Sequence, residues 1–156
     1  MSKFLVSVIG GYECDEKTSE KARQAGSIIA EEGGVLISGG LAGVMEAASK
    51  GARKAGGTVV GFIPGEDKGR ANEYVDIAIA TGMGYSRNTL VAGAADMVVA
   101  FKGKYGTLSE IGFALNAKKP VYGFGTWEIP GVTALDDPEE LRGIVRERMR
   151  SAGRRA

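Results

Sequence analysis

Residues 35–43 read Val-Leu-Ile-Ser-Gly-Gly-Leu-Ala-Gly, an apolar run that passes directly into a glycine-rich turn. Consecutive aliphatic residues without polar alternation are typical of a strand buried on both faces of a parallel sheet. The small residues from Gly43 to Lys54 predict a helix immediately after the turn. A strand, a glycine turn and a helix in this order indicate one unit of an alternating α/β fold.

The same alternation continues along the chain. Strands are predicted at residues 4–9, 35–37, 58–63, 75–79, 96–101, 120–124 and, as a short seventh, 132–134. Helices are predicted at 15–32, 43–54, 85–95, 107–118 and from 137 onward. We therefore expect an α/β, Rossmann-like, doubly wound and mostly parallel sheet of six to seven strands flanked by helices. Residues 1–149 are expected to form a single nucleotide-binding domain, and residues 150–156 a frayed tail.

Composition narrows the classes of function. The formal net charge of +1 argues against nucleic-acid or membrane partners, and no apolar run is long enough to span a bilayer. Histidine is absent, which excludes Ser-His-Asp and Cys-His catalysis and His-ligated zinc, and we expect no metal site. The single cysteine, Cys14, fits a reducing compartment. Because the N-terminus leads straight into a strand, we expect no signal peptide and a cytoplasmic protein.

The 25 glycines fall mainly in pairs where apolar runs end. Open parallel sheets bind ligands beyond the carboxyl ends of their strands, and free amides at a helix N-terminus suit phosphate. The candidate phosphate- or nucleotide-binding residues of the first two turns are Gly10, Gly11, Ser38, Gly39, Gly40 and Gly43. A tight turn without a ligand is the alternative, because Ser38 occupies the first glycine position of a dinucleotide fingerprint and no Walker A sequence is present.

A second glycine-rich stretch follows the fifth predicted strand, where residues 102–110 read Lys-Gly-Lys-Tyr-Gly-Thr-Leu-Ser-Glu. Thr107 and Glu110 fit a capping box, in which each side chain accepts from a free amide at the start of the helix. The alternative is a phosphate pocket in which Glu110 faces the sugar of the ligand. On that interpretation the candidate binding residues are Gly103, Lys104, Tyr105, Gly106 and Thr107.

A third stretch, residues 82–88, reads Gly-Met-Gly-Tyr-Ser-Arg-Asn and opens a predicted helix. A cation is electrostatically unfavourable at a helix N-terminus, which favours a functional role for Arg87 over a solvated one. Arg87 is suited to bind phosphate or to pair with Glu110. Met83 completes the set of candidate binding residues.

Together, residues 38–45, Met83 with Arg87, and residues 103–110 resemble the LOG family, long labelled lysine decarboxylase-like. The resemblance covers about residues 6–124. It implies a hydrolase, a phosphoribohydrolase that frees the base of a nucleoside 5′-monophosphate without a cofactor, and a homo-oligomer of two or four chains. It also implies that Arg87 and Glu110 are the catalytic residues. Lysine decarboxylation is not supported, because no lysine has an identifiable pyridoxal-phosphate setting.

The chain departs from the family signature at three positions. Lys102 stands in place of Pro, Lys104 in place of the second Gly, and Asn88 in place of Lys. With these departures the chain resembles a short, divergent branch that includes the molybdenum-cofactor carrier proteins. Those proteins bind a phosphate-bearing pterin without established turnover. Two functions therefore stay open. One is hydrolysis of a nucleoside monophosphate, and the other is non-catalytic binding of a nucleotide or the molybdenum cofactor (molybdopterin), as a carrier or nucleotide sensor.

Overall fold

The computed structural model describes residues 2–153. Its strands are β1 (Leu5–Ile9), β2 (Val35–Ser38), β3 (Val59–Ile63), β4 (Ile77–Ala80), β5 (Met97–Phe101), β6 (Val121–Phe124) and β7 (Val132–Ala134). Its α-helices are α1 (Glu16–Glu31), α2 (Val44–Lys54), α3 (Asn88–Ala94), α4 (Tyr105–Asn116) and α5 (Glu140–Gly153). Short 3-10 helices lie at Lys68–Arg70 and Gly84–Arg87. None of the helices described is long and apolar enough to cross a bilayer.

All seven strands are parallel and lie in the order β4-β3-β2-β1-β5-β6-β7, which confirms the predicted doubly wound α/β fold. The chain builds outward from β1 to β4, then crosses back and pairs β5 with the other edge of β1. The strand order therefore reverses between β1 and β5. At their carboxyl ends the amide of Gly11 donates to the carbonyl of Lys102 at 2.9 Å.

Helices cover both faces of the sheet because its strands are apolar on both sides. One core joins β1, β2, β3 and β5 to α1, α2 and α5, with Val8, Ile29 and Leu141 among its fully buried residues. The other joins β1, β2, β5 and β6 to α3 and α4 through Val98 and Ile111. This two-sided burial explains why the strands lack polar alternation.

Several boundaries differ from the predictions. The helix expected at 85–95 is divided into a 3-10 helix and α3, and β4 begins at Ile77 rather than at residue 75. Helix α4 begins at Tyr105 rather than at residue 107, because the carbonyl of Lys104 already accepts from the amide of Leu108. Helix α5 runs through Gly153, so residues 150–153 are helical, and the rest of the expected tail lies outside the described residues.

Candidate functional site

A cavity of about 970 Å³ opens at the carboxyl ends of the strands. The loop after β1 and the turn between β5 and α4 face each other across it, so it lies where the strand order reverses. This is the position at which doubly wound sheets bind ligands, and the volume suits a cofactor-sized molecule.

The cavity brings together most of the candidate residues predicted from the sequence. Those that line it are Gly10, Gly11, Gly39, Arg87, Gly103, Lys104, Gly106, Thr107 and Glu110. The candidates outside the lining are Ser38, Gly40, Gly43, Met83 and Tyr105. The buried hydroxyl of Ser38 accepts from the amide of Gly40 at 3.0 Å, so it shapes the turn after β2. Tyr105 is exposed and stacks on Trp127.

Arg87 is buried at 7% exposure, so the alternative of a solvated arginine is wrong. Its Nε donates to the carbonyl of Phe62 at 2.9 Å and its Nη2 to the carbonyl of Gly39 at 3.4 Å, while Nη1 donates to Oδ1 of Asn88. Backbone carbonyls at the ends of β2 and β3 thus hold the guanidinium in place. Burial lowers the pKa of Arg87, and the nearby Glu110 opposes that shift.

Glu110 does not take part in a capping box, so that prediction is wrong. Since α4 begins at Tyr105, Glu110 lies in its second turn, and its side chain is 8% exposed against the cavity. Arg87 and Glu110 line the same space, but among the contacts of residues 2–153 no direct ion pair joins them. Burial raises the pKa of Glu110 to about 8, with Arg87 opposing the shift, so the carboxyl is mostly neutral at pH 7.

The N-terminus of α4 has free backbone amides. No side chain caps it, and within the described part of the chain the amides of residues 105–107 donate to no backbone or side-chain acceptor. By contrast, Asp15 caps α1 by accepting from the amide of Thr18 at 2.7 Å. Free amides and the positive end of a helix dipole are features that suit an anion. The exposed side chains of Lys102 and Lys104 add two positive charges beside it.

Thr107 is buried beside Gly103 in the turn that opens α4. A Cβ atom on Gly103 would lie 2.0 Å from Oγ1 of Thr107. The glycine therefore makes room for the threonine side chain, and the packing of these two residues shapes the turn that opens α4. The need for space beside Thr107, rather than backbone flexibility, explains why residue 103 is a glycine.

Sequence reasoning missed most of the loop after β1. Residues 12–15 and Thr18 line the cavity, together with Tyr85 and Asn88. Ligands bind beyond the carboxyl ends of parallel strands, and this rule applies to the residues after Gly11 as it does to Gly10 and Gly11. These residues could therefore have been predicted from the sequence. The buried Asn88 donates to Oγ of Ser109 at 3.2 Å and so connects the arginine to α4.

These features define a class, a Rossmann-like domain with a cavity at its topological switch point. The model of the SLOG cluster4 family matches residues 3–151, and the chain belongs to that family. An uncharacterized protein of Archaeoglobus fulgidus is 44% identical over 141 residues, which are 90% of this chain and 93% of the relative. This membership confirms the resemblance noted from the motifs.

Two solved structures are similar over almost their whole length. The molybdenum cofactor binding protein from Rippkaea orientalis is 34% identical with a TM-score of 0.89, covering 96% of this chain and 99% of its own. The Moco carrier protein from Chlamydomonas reinhardtii is 33% identical with a TM-score of 0.86 at the same coverage. The expected cytoplasmic location, homo-oligomer and absence of nucleic-acid partners stay predictions.

Proposed function

We propose that the chain binds a phosphate-bearing pterin of the molybdenum-cofactor type in this cavity and holds it without chemical turnover. The observation that carries the proposal is the uncapped N-terminus of α4, which faces a cofactor-sized cavity at the switch point. An anionic group there gains free amides, the helix dipole and two lysine charges. The likeness to two molybdenum-cofactor proteins over 96% of the chain supports the class of ligand.

The cavity residues fit such a ligand. The phosphate would lie against the amides of residues 105–107, with the Lys104 side chain beside it. Lys104 is exposed, which supports the interpretation that it adds charge rather than blocking the turn. Tyr12 and Tyr85, at 62% and 87% exposure, lie at the rim of the cavity. Their flat faces suit a planar ring, because offset stacking favours aromatic partners.

The state of Glu110 favours binding over hydrolysis. A carboxylate that stabilises a cation at the sugar, or that activates water, must be ionised. With a pKa of about 8, Glu110 is mostly protonated at pH 7. Hydrolysis of a nucleoside monophosphate by Arg87 and Glu110 is the second candidate, supported by their convergence in one cavity. In that reaction Glu110 would first have to lose its proton, which its burial opposes.

The test is retention of molybdenum cofactor released from a purified molybdenum enzyme. The chain and the cofactor are mixed without oxygen and separated by gel filtration. Pterin is measured by fluorescence after oxidation, and molybdenum by mass spectrometry. We expect both to elute with the protein in about equal molar amounts, and elution of pterin apart from the protein would contradict the proposal.

A parallel incubation with AMP separates the two candidates. Under non-catalytic binding, chromatography detects no adenine and no ribose 5-phosphate. Release of both by the wild type, and its loss in Glu110→Gln, would establish hydrolysis instead.

A further inference from the structure

Glu110 is a buried side chain of the cavity that lacks a partner. It is 8% exposed and lines the cavity, yet among residues 2–153 its carboxyl group forms no hydrogen bond. The carboxyl oxygens are open to the cavity, so their hydrogen bonds must come from water or from a bound molecule. A ligand that fills the cavity is therefore the natural partner of this carboxyl.

Most hydrogen-bond donors of Arg87 and Asn88 already have other acceptors. Three donors of Arg87 point to Phe62, Gly39 and Asn88. The amide nitrogen of Asn88 donates to the carbonyl of Gly106 and to the hydroxyl of Ser109. Arg87 acts on Glu110 by charge alone, and this attraction is smaller than the effect of burial. The surroundings thus favour the neutral acid, which carries one donor of its own.

We propose that Glu110 binds the ligand as a neutral carboxylic acid that donates a hydrogen bond to an acceptor atom of the ligand, which links binding to a proton on Glu110. The inference rests on the proposed function. It identifies Glu110 as the group that discriminates between ligands of the proposed class. Ligands that place an oxygen or nitrogen lone pair next to the Glu110 carboxyl accept this hydrogen bond. Ligands that present only N–H donors there are disfavoured, because they use the carbonyl oxygen of the acid and leave its O–H without an acceptor.

The contribution of Glu110 can be separated from that of the other titratable groups around the cavity. The loop after β1 contributes Tyr12, Glu13, Cys14 and Asp15, the 3-10 helix Tyr85 and Arg87, and the β5–α4 turn Lys102 and Lys104. The hydrogen bond from Thr18 lowers the pKa of Asp15, so this carboxylate is already charged at pH 7, and burial raises the pKa of Cys14, whose thiol is shared by wild type and Glu110→Gln. An anionic ligand favours the neutral form of Glu110 further, since like charges repel.

The experiment measures retention of released molybdenum cofactor at pH 7, 8 and 9, without oxygen, by wild type and by Glu110→Gln. A group with a pKa of about 8 is about one-tenth neutral at pH 9, so we expect wild-type affinity to fall about tenfold from pH 7. The amide of Glu110→Gln donates at every pH, so its affinity should change less than about twofold. Instability of the cofactor itself would affect both proteins equally.

The outcomes separate this inference from the proposed function. Binding that is independent of pH in the wild type, or an equal fall in Glu110→Gln, overturns the inference and leaves the proposed function standing. Failure of the wild type to bind at pH 7 overturns both. Carbon-13 NMR of the ligand-free protein gives a second readout. The carboxyl resonance that disappears in Glu110→Gln should titrate near pH 8, and a midpoint below pH 6 contradicts the proposal.

Discussion

The guanidinium of Arg87 lies against the backbone of Gly39, at a distance that leaves no room for a side chain there. A Cβ atom on Gly39 would be 2.6 Å from Nη2 of Arg87 and 2.8 Å from Sδ of Met45. The carbonyl of Gly39 also accepts from Nη2 at 3.4 Å. The glycine that follows β2 therefore sets the position of the cation that lines the cavity.

Gly39→Ala should displace Arg87 and weaken ligand binding. The backbone of Gly39 is accessible to alanine, so the cost arises from crowding, typically about 1–3 kcal/mol of folding free energy. We expect at least about tenfold weaker retention of molybdenum cofactor, because a displacement of about 1 Å disrupts a site of this kind. Gly65→Ala is the matched control, since a Cβ there meets nothing within 4 Å. Equal retention by both variants would contradict the role assigned to Gly39.

Gly103→Ala should destabilise the protein through Thr107. The added Cβ would lie 2.0 Å from Oγ1 and 2.7 Å from Cβ of Thr107, which is itself buried. We expect a loss of about 1–3 kcal/mol in urea unfolding. In a Thr107→Ala background the loss should be smaller, because Oγ1 is gone. A double-mutant cycle with no coupling free energy would show that the two side chains do not compete for this space.

Glu110→Gln should change how stability depends on pH. The pKa of Glu110 rises from 4.5 in the unfolded chain to about 8 in the folded one, so the unfolded state releases the proton first. Stability is therefore lost as pH rises from about 4.5 towards 8, by about 4 kcal/mol at pH 8 and under about 1 kcal/mol at pH 4.5. Glutamine does not titrate, so the variant should gain relative stability over this interval. Parallel unfolding curves at pH 5 and pH 8 check this, and an unchanged difference between the two proteins contradicts it.

Lys104→Gln should weaken retention of an anionic ligand without unfolding the protein. The side chain is exposed, so its attraction is worth about 1 kcal/mol or less, equivalent to roughly fivefold in affinity. Added salt should reduce the difference between wild type and variant, because it screens exposed charges. Lys54→Gln, at the far end of α2, is the control and should bind as the wild type does. A control variant that loses as much affinity would indicate a general effect of charge.

Local sequence patterns were sufficient for the elements and the class of fold. Uninterrupted apolar runs such as residues 97–101 mark strands buried on both faces, and glycine pairs mark their carboxyl ends. The order of the strands was not predicted and comes from the structure. These signals depend on neighbours in the chain, which is why they are visible without a structure.

The details of the cavity depend on contacts between distant residues, and there the predictions were less complete. Thr107 and Glu110 match a capping box locally, but the turn after β5 starts α4 two residues earlier and places Glu110 in a buried second turn. Arg87 is buried because carbonyls at the ends of two strands receive its donors. The loop after β1 contains no glycine beyond Gly11 and carried no motif, although it lines much of the cavity.

The pairing of β1 with β5 also has a consequence for the order of folding. Residues Val6 and Met97 are paired in register although 91 positions separate them in the chain, and both sides of the cavity depend on this pairing. During synthesis, the second edge of β1 stays uncovered until β5 has been made and can pair with it. Such long-range closure is slow compared with local helix formation. A bound cofactor would therefore mark chains in which this pairing is complete, and its retention would report native molecules rather than total protein.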